Sequence, residues 1–171
     1  MKHDHGTGIE CAACNGEDPQ ELARTFIEKS GFGIFGIFDA KPMFAYTAGL
    51  QELQHPEFLV FGLPLKVGAS LLHYVYNRVK AGRSWVDGEI DTSWTVGGLP
   101  FAVRKADNVM VRQYVVQVDV YYERPVPVFQ LVWSDRQGKL PWEKGWDTAF
   151  DKFQPVLYGA LPAIVEIPPV A

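Results

Sequence analysis

The stretch "GFGIFG", Gly31 to Gly36, decides the fold, because its two readings lead to different architectures. As G-x-G-x-x-G it matches a dinucleotide-binding loop. That role needs a strand before the glycines and a helix after them, so that the helix N-terminus faces a pyrophosphate. The neighbours supply the opposite order. Upstream, "DPQELARTFIEKSG" has the marks of a helix: Asp18 to cap it, Pro19 in the first turn and Glu21 to complete a capping box. Leu22, Ala23, Phe26, Ile27 and Ser30 share a face, and Gly31 is a C-terminal stop. Downstream, "IFGIFD" reads as a strand. The glycines close a helix and open a strand, so no dinucleotide cofactor is expected.

Working outward, "MFAYTAGL" and "PEFLVFGL" are short apolar runs between turn residues and predict two strands. "LPLKVGASLLHYVYNRVKAG" places Val67, Leu71, Leu72, Val75 and Val79 at helical spacing, with His73 opposite that stripe and solvated. Gly97-Gly98 in "SWTVGGLPFAVR" predicts a two-residue hairpin, and Pro100 puts its second strand near an edge. "VRQYVVQVDVYYE" fits both a strand and a helix. "VPVFQLVW" is a buried strand, "SDRQGKLPW" a long turn, and "LPAIVEIPPVA" a weak strand fading into prolines. The order lacks a clean βαβ rhythm. It predicts an α+β fold, a mixed α/β sandwich with a central, mostly antiparallel sheet and two or three helices. Residues 1–17 read as a tail and 18–171 as one globular domain.

The bulk composition narrows the function classes. The chain has 171 residues, 47% hydrophobic and 21% charged, as a domain with a genuine core has. A net charge of −4 argues against a broad nucleic-acid surface. No apolar run reaches the roughly 18 residues of a membrane span, and "MKHDHGTGIECAAC" lacks the apolar core of a signal peptide. A cytoplasmic location is expected.

Three blocks together, "CAACNG", "FAYTAGLQELQHPEFLVFGLP" and "FQLVWSDRQGKLPWEKGW", resemble a bacterial domain-of-unknown-function family, number 4262, common in actinobacteria. The resemblance runs from about Cys11 to Leu157. It implies a Cys-x-x-Cys before the first helix and a helical "VRQYVVQVDVYYE", and it supplies a family rather than an activity.

Three groups of residues are candidates for chemistry. In an extended N-terminus His3 and His5 point to one side, and with Cys11 and Cys14, the only two cysteines, they form a tetrahedral zinc set. Structural zinc contributes on the order of 10–16 kcal/mol. Ordering a tail of this length costs roughly 1–2 kcal/mol per residue. Metal alone about breaks even, so the tail must also dock on the core or on a homodimer partner. Reduced thiols on an unordered tail are the plainer reading. A second group is "HPE": His55 as a general base, oriented by Glu57 or Asp135, since imidazole titrates near neutrality. A third would bind a ligand through Tyr46, Thr47, Gln130, Trp133, Arg136 and Trp142, apolar walls with a few polar groups. The plainer readings make His55 and Glu57 loop caps, the tryptophans core, and Asp135 a turn builder.

Two function classes follow. One is a small-molecule-binding protein or enzyme using these residues. The other is a protein-interaction module, an immunity or regulatory partner without catalysis.

Overall fold

A computed structural model describes residues 18–160. Asp18 caps helix α1 (Pro19–Arg24) by accepting the Gln20 N–H at 3.0 Å. Glu21 turns outward to Arg24 instead of closing a capping box. The helix continues as a π-wound turn, Thr25–Ser30, that ends at Gly31 in the left-handed region at φ 74°. Ser30 is exposed rather than on the buried face. Strand β1 (Gly33–Ile37) follows, so the glycines separate helix from strand in the order expected. Gly33 has a packing reason as well: a Cβ there would overlap the Phe26 ring at 2.0 Å.

The remaining strands are β2 (Phe44–Ala48), β3 (Glu57–Phe61), β4 (Ile90–Asp91), β5 (Phe101–Lys105) and β6 (Val128–Trp133). They form one sheet in the order β1-β2-β3-β6-β5-β4, antiparallel at every pairing except the parallel β3–β6. Its helices make the fold α+β.

Both faces of the sheet are covered, which is why β3 and β6, apart from Glu57 and Gln130, are apolar and do not alternate. On one face α1 with its π-wound turn, and α3 (Val116–Tyr122) with the turn before it, bury Leu22, Ile27, Val111, Val115 and Val118 against Tyr46, Leu59, Phe61 and Val128. On the other, α2 (Leu65–Lys80) sets Leu71, Leu72, Val75 and Val79 against Phe58, Val60, Val103 and Leu131. Val67 is exposed, and Gly68 and Ala69 take the buried positions in that turn. His73 is exposed, edge-on to Phe32.

One local reading is corrected, and one left open between strand and helix is decided as the family resemblance implies. β4 and β5 pair, but the connection runs from Thr92 to Pro100 and not through a two-residue Gly97-Gly98 turn. The Asp91 carboxylate accepts the Ser93 N–H at 2.7 Å, an Asx turn that ends β4 before "SWTV" can join the ladder. "VRQYVVQVDVYYE" is helical: a 3-10 turn, Met110–Gln113, then α3. The tail readings for 1–17 and the terminal strand from residue 161 lie outside the described residues. No helix among the described residues is long and apolar enough to cross a membrane.

Candidate functional site

His55 is buried between Phe58, Phe129 and the chain at Trp85. Its Nδ1 lies 2.8 Å from the Pro56 carbonyl, and its Nε2 accepts the Trp85 N–H at 3.2 Å. That pair of contacts fixes a neutral ring with the proton on Nδ1. Burial holds its pKa below the ordinary imidazole value, against the Pro56 carbonyl, which favours the charged form.

Glu57 opens β3 with no exposed surface. Its carboxylate accepts the Thr47 hydroxyl at 2.6 Å and the N–H groups of Gly49 and Gln51 at 3.1 and 3.3 Å. Thr47 Oγ1 in turn accepts the Phe58 N–H at 2.8 Å. Burial pushes the Glu57 carboxyl up to about 7, and those same donors restrain the rise. Tyr46 points into the α3 side of the core and donates its hydroxyl to Gln117. Among the described residues, Thr47 and Glu57 are the one pair of candidates joined by a side-chain hydrogen bond.

Gln130 has both ends of its amide engaged. Nε2 donates to the Pro155 carbonyl at 2.7 Å, and Oε1 accepts the Leu157 N–H at 3.1 Å. Trp133 donates its ring N–H to the Phe61 carbonyl at 2.7 Å and exchanges backbone bonds with the Gln154 amide. Asp135 is buried and knits the following loop. Oδ1 accepts Gln137 and Lys139 N–H at 2.9 Å each, and Oδ2 accepts Asp147 N–H at 3.0 Å. Desolvation raises its carboxyl, and those three donors outweigh it, leaving the group below the usual carboxylate range. Arg136 is exposed.

A cavity large enough for a ligand lies elsewhere, with one candidate in its wall. A cleft of about 520 Å³ is lined by Arg104, Pro141, Trp142, Val156, Tyr158, Gly159 and Ala160. Arg104 projects from β5 and is 2% exposed. Its Nε donates to Asp87 at 3.0 Å and its Nη2 to the Gly159 carbonyl at 2.7 Å. The guanidinium carbon sits 4.5 Å from the Tyr158 ring centroid and 5.2 Å from that of Trp142. The two rings meet edge-to-face at 5.8 Å. Burial raises the Tyr158 hydroxyl pKa, Arg104 opposing and Asp151 assisting, so the wall is neutral there.

Gln130 and Asp135 serve this cleft indirectly. Gln130 holds residues 155–157, which carry Val156 and lead into Tyr158, and Asp135 shapes the loop that carries Pro141 and Trp142. Neither they nor His55, Glu57, Tyr46, Thr47, Trp133 or Arg136 line it.

The model of a family described as a domain of unknown function, DUF4262, matches residues 26–147. The chain belongs to the DUF4262 family. No curated protein and no solved structure matches the chain. Within this DUF4262 member the match includes Arg104, Pro141 and Trp142, while the wall from Val156 to Ala160 falls beyond it. His3, His5, Cys11 and Cys14 lie outside the described residues. Among the described residues no group of three or more His, Cys, Asp or Glu side chains is placed to hold a metal ion.

Sequence reasoning missed Arg104 and Tyr158. The available signal was Arg104 inside "FAVRK", a charge sharing a sheet face with Ala102, while Lys105 faces the other way and is exposed.

Proposed function

We propose that this DUF4262 member binds a small molecule in the cleft between Arg104, Trp142 and Tyr158. One observation carries the reading: a buried guanidinium and two aromatic rings converge on an apolar cleft of about 520 Å³. That volume falls within the roughly 300–1,000 Å³ of small-molecule sites, which pair apolar walls with few polar groups. Binding fits better than catalysis by His55, Glu57 and Asp135. Those three are buried and bonded to the protein's own backbone, away from the cleft lining.

The test is a thermal-shift screen of the full chain against a panel of apolar and aromatic compounds, with Trp142→Ala beside it. Trp142 is 38% exposed, so its truncation spares the fold. Compounds that stabilise the natural chain and fail on Trp142→Ala support the reading. Hits that stabilise both proteins equally, or no hits, refute it.

A further inference from the structure

The geometry points to an apolar monocarboxylate, an aryl or alkyl acid, as the ligand class of this cleft, with its anion on Arg104 Nη1. The inference rests on the small-molecule reading above and adds the charge and polarity of the ligand. Among the lining residues Arg104 is the one charged side chain; Pro141, Trp142, Val156 and Tyr158 supply apolar surface. A guanidinium that is 2% exposed is costly to desolvate unless its donors are met. Asp87 meets Nε and Gly159 meets Nη2, while the Tyr158 and Trp142 rings lie within cation–π distance. Among the described residues no hydrogen bond uses Nη1, which is not one of the fully enclosed atoms left unpaired (Arg78 Nε and Arg112 Nε), and Arg104 lines the cleft. A ligand carboxylate there completes the donor set by a charge-assisted bond, the stronger kind, in surroundings that strengthen it further.

Two features limit the ligand to one negative charge and an apolar body. Asp87 already offsets part of the Arg104 charge, so a dianion such as a phosphate monoester would leave negative charge uncompensated among apolar walls. The Trp142 ring is partly exposed and offers a face for an aryl or alkyl group.

The experiment is calorimetric titration of the full chain with 3-phenylpropionate and with 3-phenylpropanamide, which share a shape and differ in charge. The acid is expected to bind at least about tenfold more tightly, the scale of a bond to a charged group. Arg104→Gln is expected to erase that preference. Should this buried substitution prevent folding, Asp87→Asn replaces it: freeing the guanidinium tightens the acid several-fold and leaves the amide unchanged. Trp142→Ala weakens both probes alike. Equal binding of acid and amide overturns the carboxylate inference and leaves the cleft reading standing. So does a screen in which neutral compounds bind and the acid does not. Acid binding unmoved by Asp87→Asn also overturns it. Failure of both probes together with an empty screen removes both conclusions, as does binding indifferent to Trp142→Ala.

Discussion

Arg104 and Gln130 are register partners on β5 and β6, and both side chains grip the same returning segment. Gln130 takes the Pro155 carbonyl and the Leu157 N–H, and Arg104 takes the Gly159 carbonyl. A polar pair on one sheet face thereby fastens the chain that supplies Val156, Tyr158 and Gly159 to the cleft. An isolated β-bridge between Ala106 and Tyr158 extends that attachment.

Gln130→Leu keeps the volume of the side chain and removes both bonds, leaving the Pro155 carbonyl and Leu157 N–H unmet. An unsatisfied buried group costs about 1–3 kcal/mol, so the expected loss is about 2–4 kcal/mol in urea unfolding. Binding of any cleft ligand is expected to fall with it, measured at a temperature where the variant is folded. Unchanged stability would mean that the 155–159 segment is not held by this amide.

Asp135 makes an analogous prediction for the opposite wall. Asp135→Asn retains one acceptor oxygen and Asp135→Ala none, so both should lower the urea midpoint, the alanine variant more. The carboxyl titrates below its ordinary value, so its contribution is present above the unfolded-state pKa and is lost as pH falls through the folded one. The gap between natural chain and alanine variant should therefore narrow in acid. A gap independent of pH would sink this account.

The parts of the fold legible in sequence are those whose burial is decided locally. β2, β3 and α2 are bounded by glycine and proline; the two strands are short apolar runs, and α2 carries a clear helical period. The valines of α3 satisfy two periods, and tertiary contacts select the helix. Arg112 bonds both Asp119 oxygens, at 2.6 and 2.8 Å, and the Val126 carbonyl at 2.6 Å, tying the segment's ends together. The two-residue hairpin does not form because Asp91 competes for the backbone, which hydrophobic pattern does not record.

The site was legible in a similarly partial way. Gln130 stands out as a polar residue in an apolar strand, which signals that something must satisfy it, whereas Asp135 reads as a turn builder. What satisfies Gln130 is backbone 25 and 27 residues along the chain, and spacing carries no information about that, while Asp135 is met mostly by its own turn. Trp142 was visible as an aromatic in a turn. Arg104 became a site residue only because the 155–159 segment returns over its face of the sheet.

His55 is expected to act on stability rather than on ligand binding. His55→Ala leaves the Trp85 N–H unpaired and opens space beside Phe58 and Phe129, a loss of about 2–4 kcal/mol. Denaturant unfolding measures the loss, and cleft binding should persist in the folded fraction. Loss of binding with stability intact would return His55 to a direct role.

Glu57 gives the clearest dependence on pH. Its folded-state pKa of about 7 lies above the ordinary 4.5, so the folded protein holds a proton that the unfolded chain releases between those values. Stability from this group is present below pH 4.5, falls as pH rises toward about 7, and is level above. The integrated change is on the order of 3 kcal/mol. Glu57→Gln removes the titration while keeping an acceptor for the Gly49 and Gln51 N–H groups. Subtracting its urea-derived stability from that of the natural chain, pH by pH, cancels the opposite trend from His55, whose depressed pKa adds stability as pH rises. The difference should decline across the interval and flatten beyond it. Parallel curves would show that the Thr47, Gly49 and Gln51 donors hold Glu57 ionised throughout, with its burial fully offset.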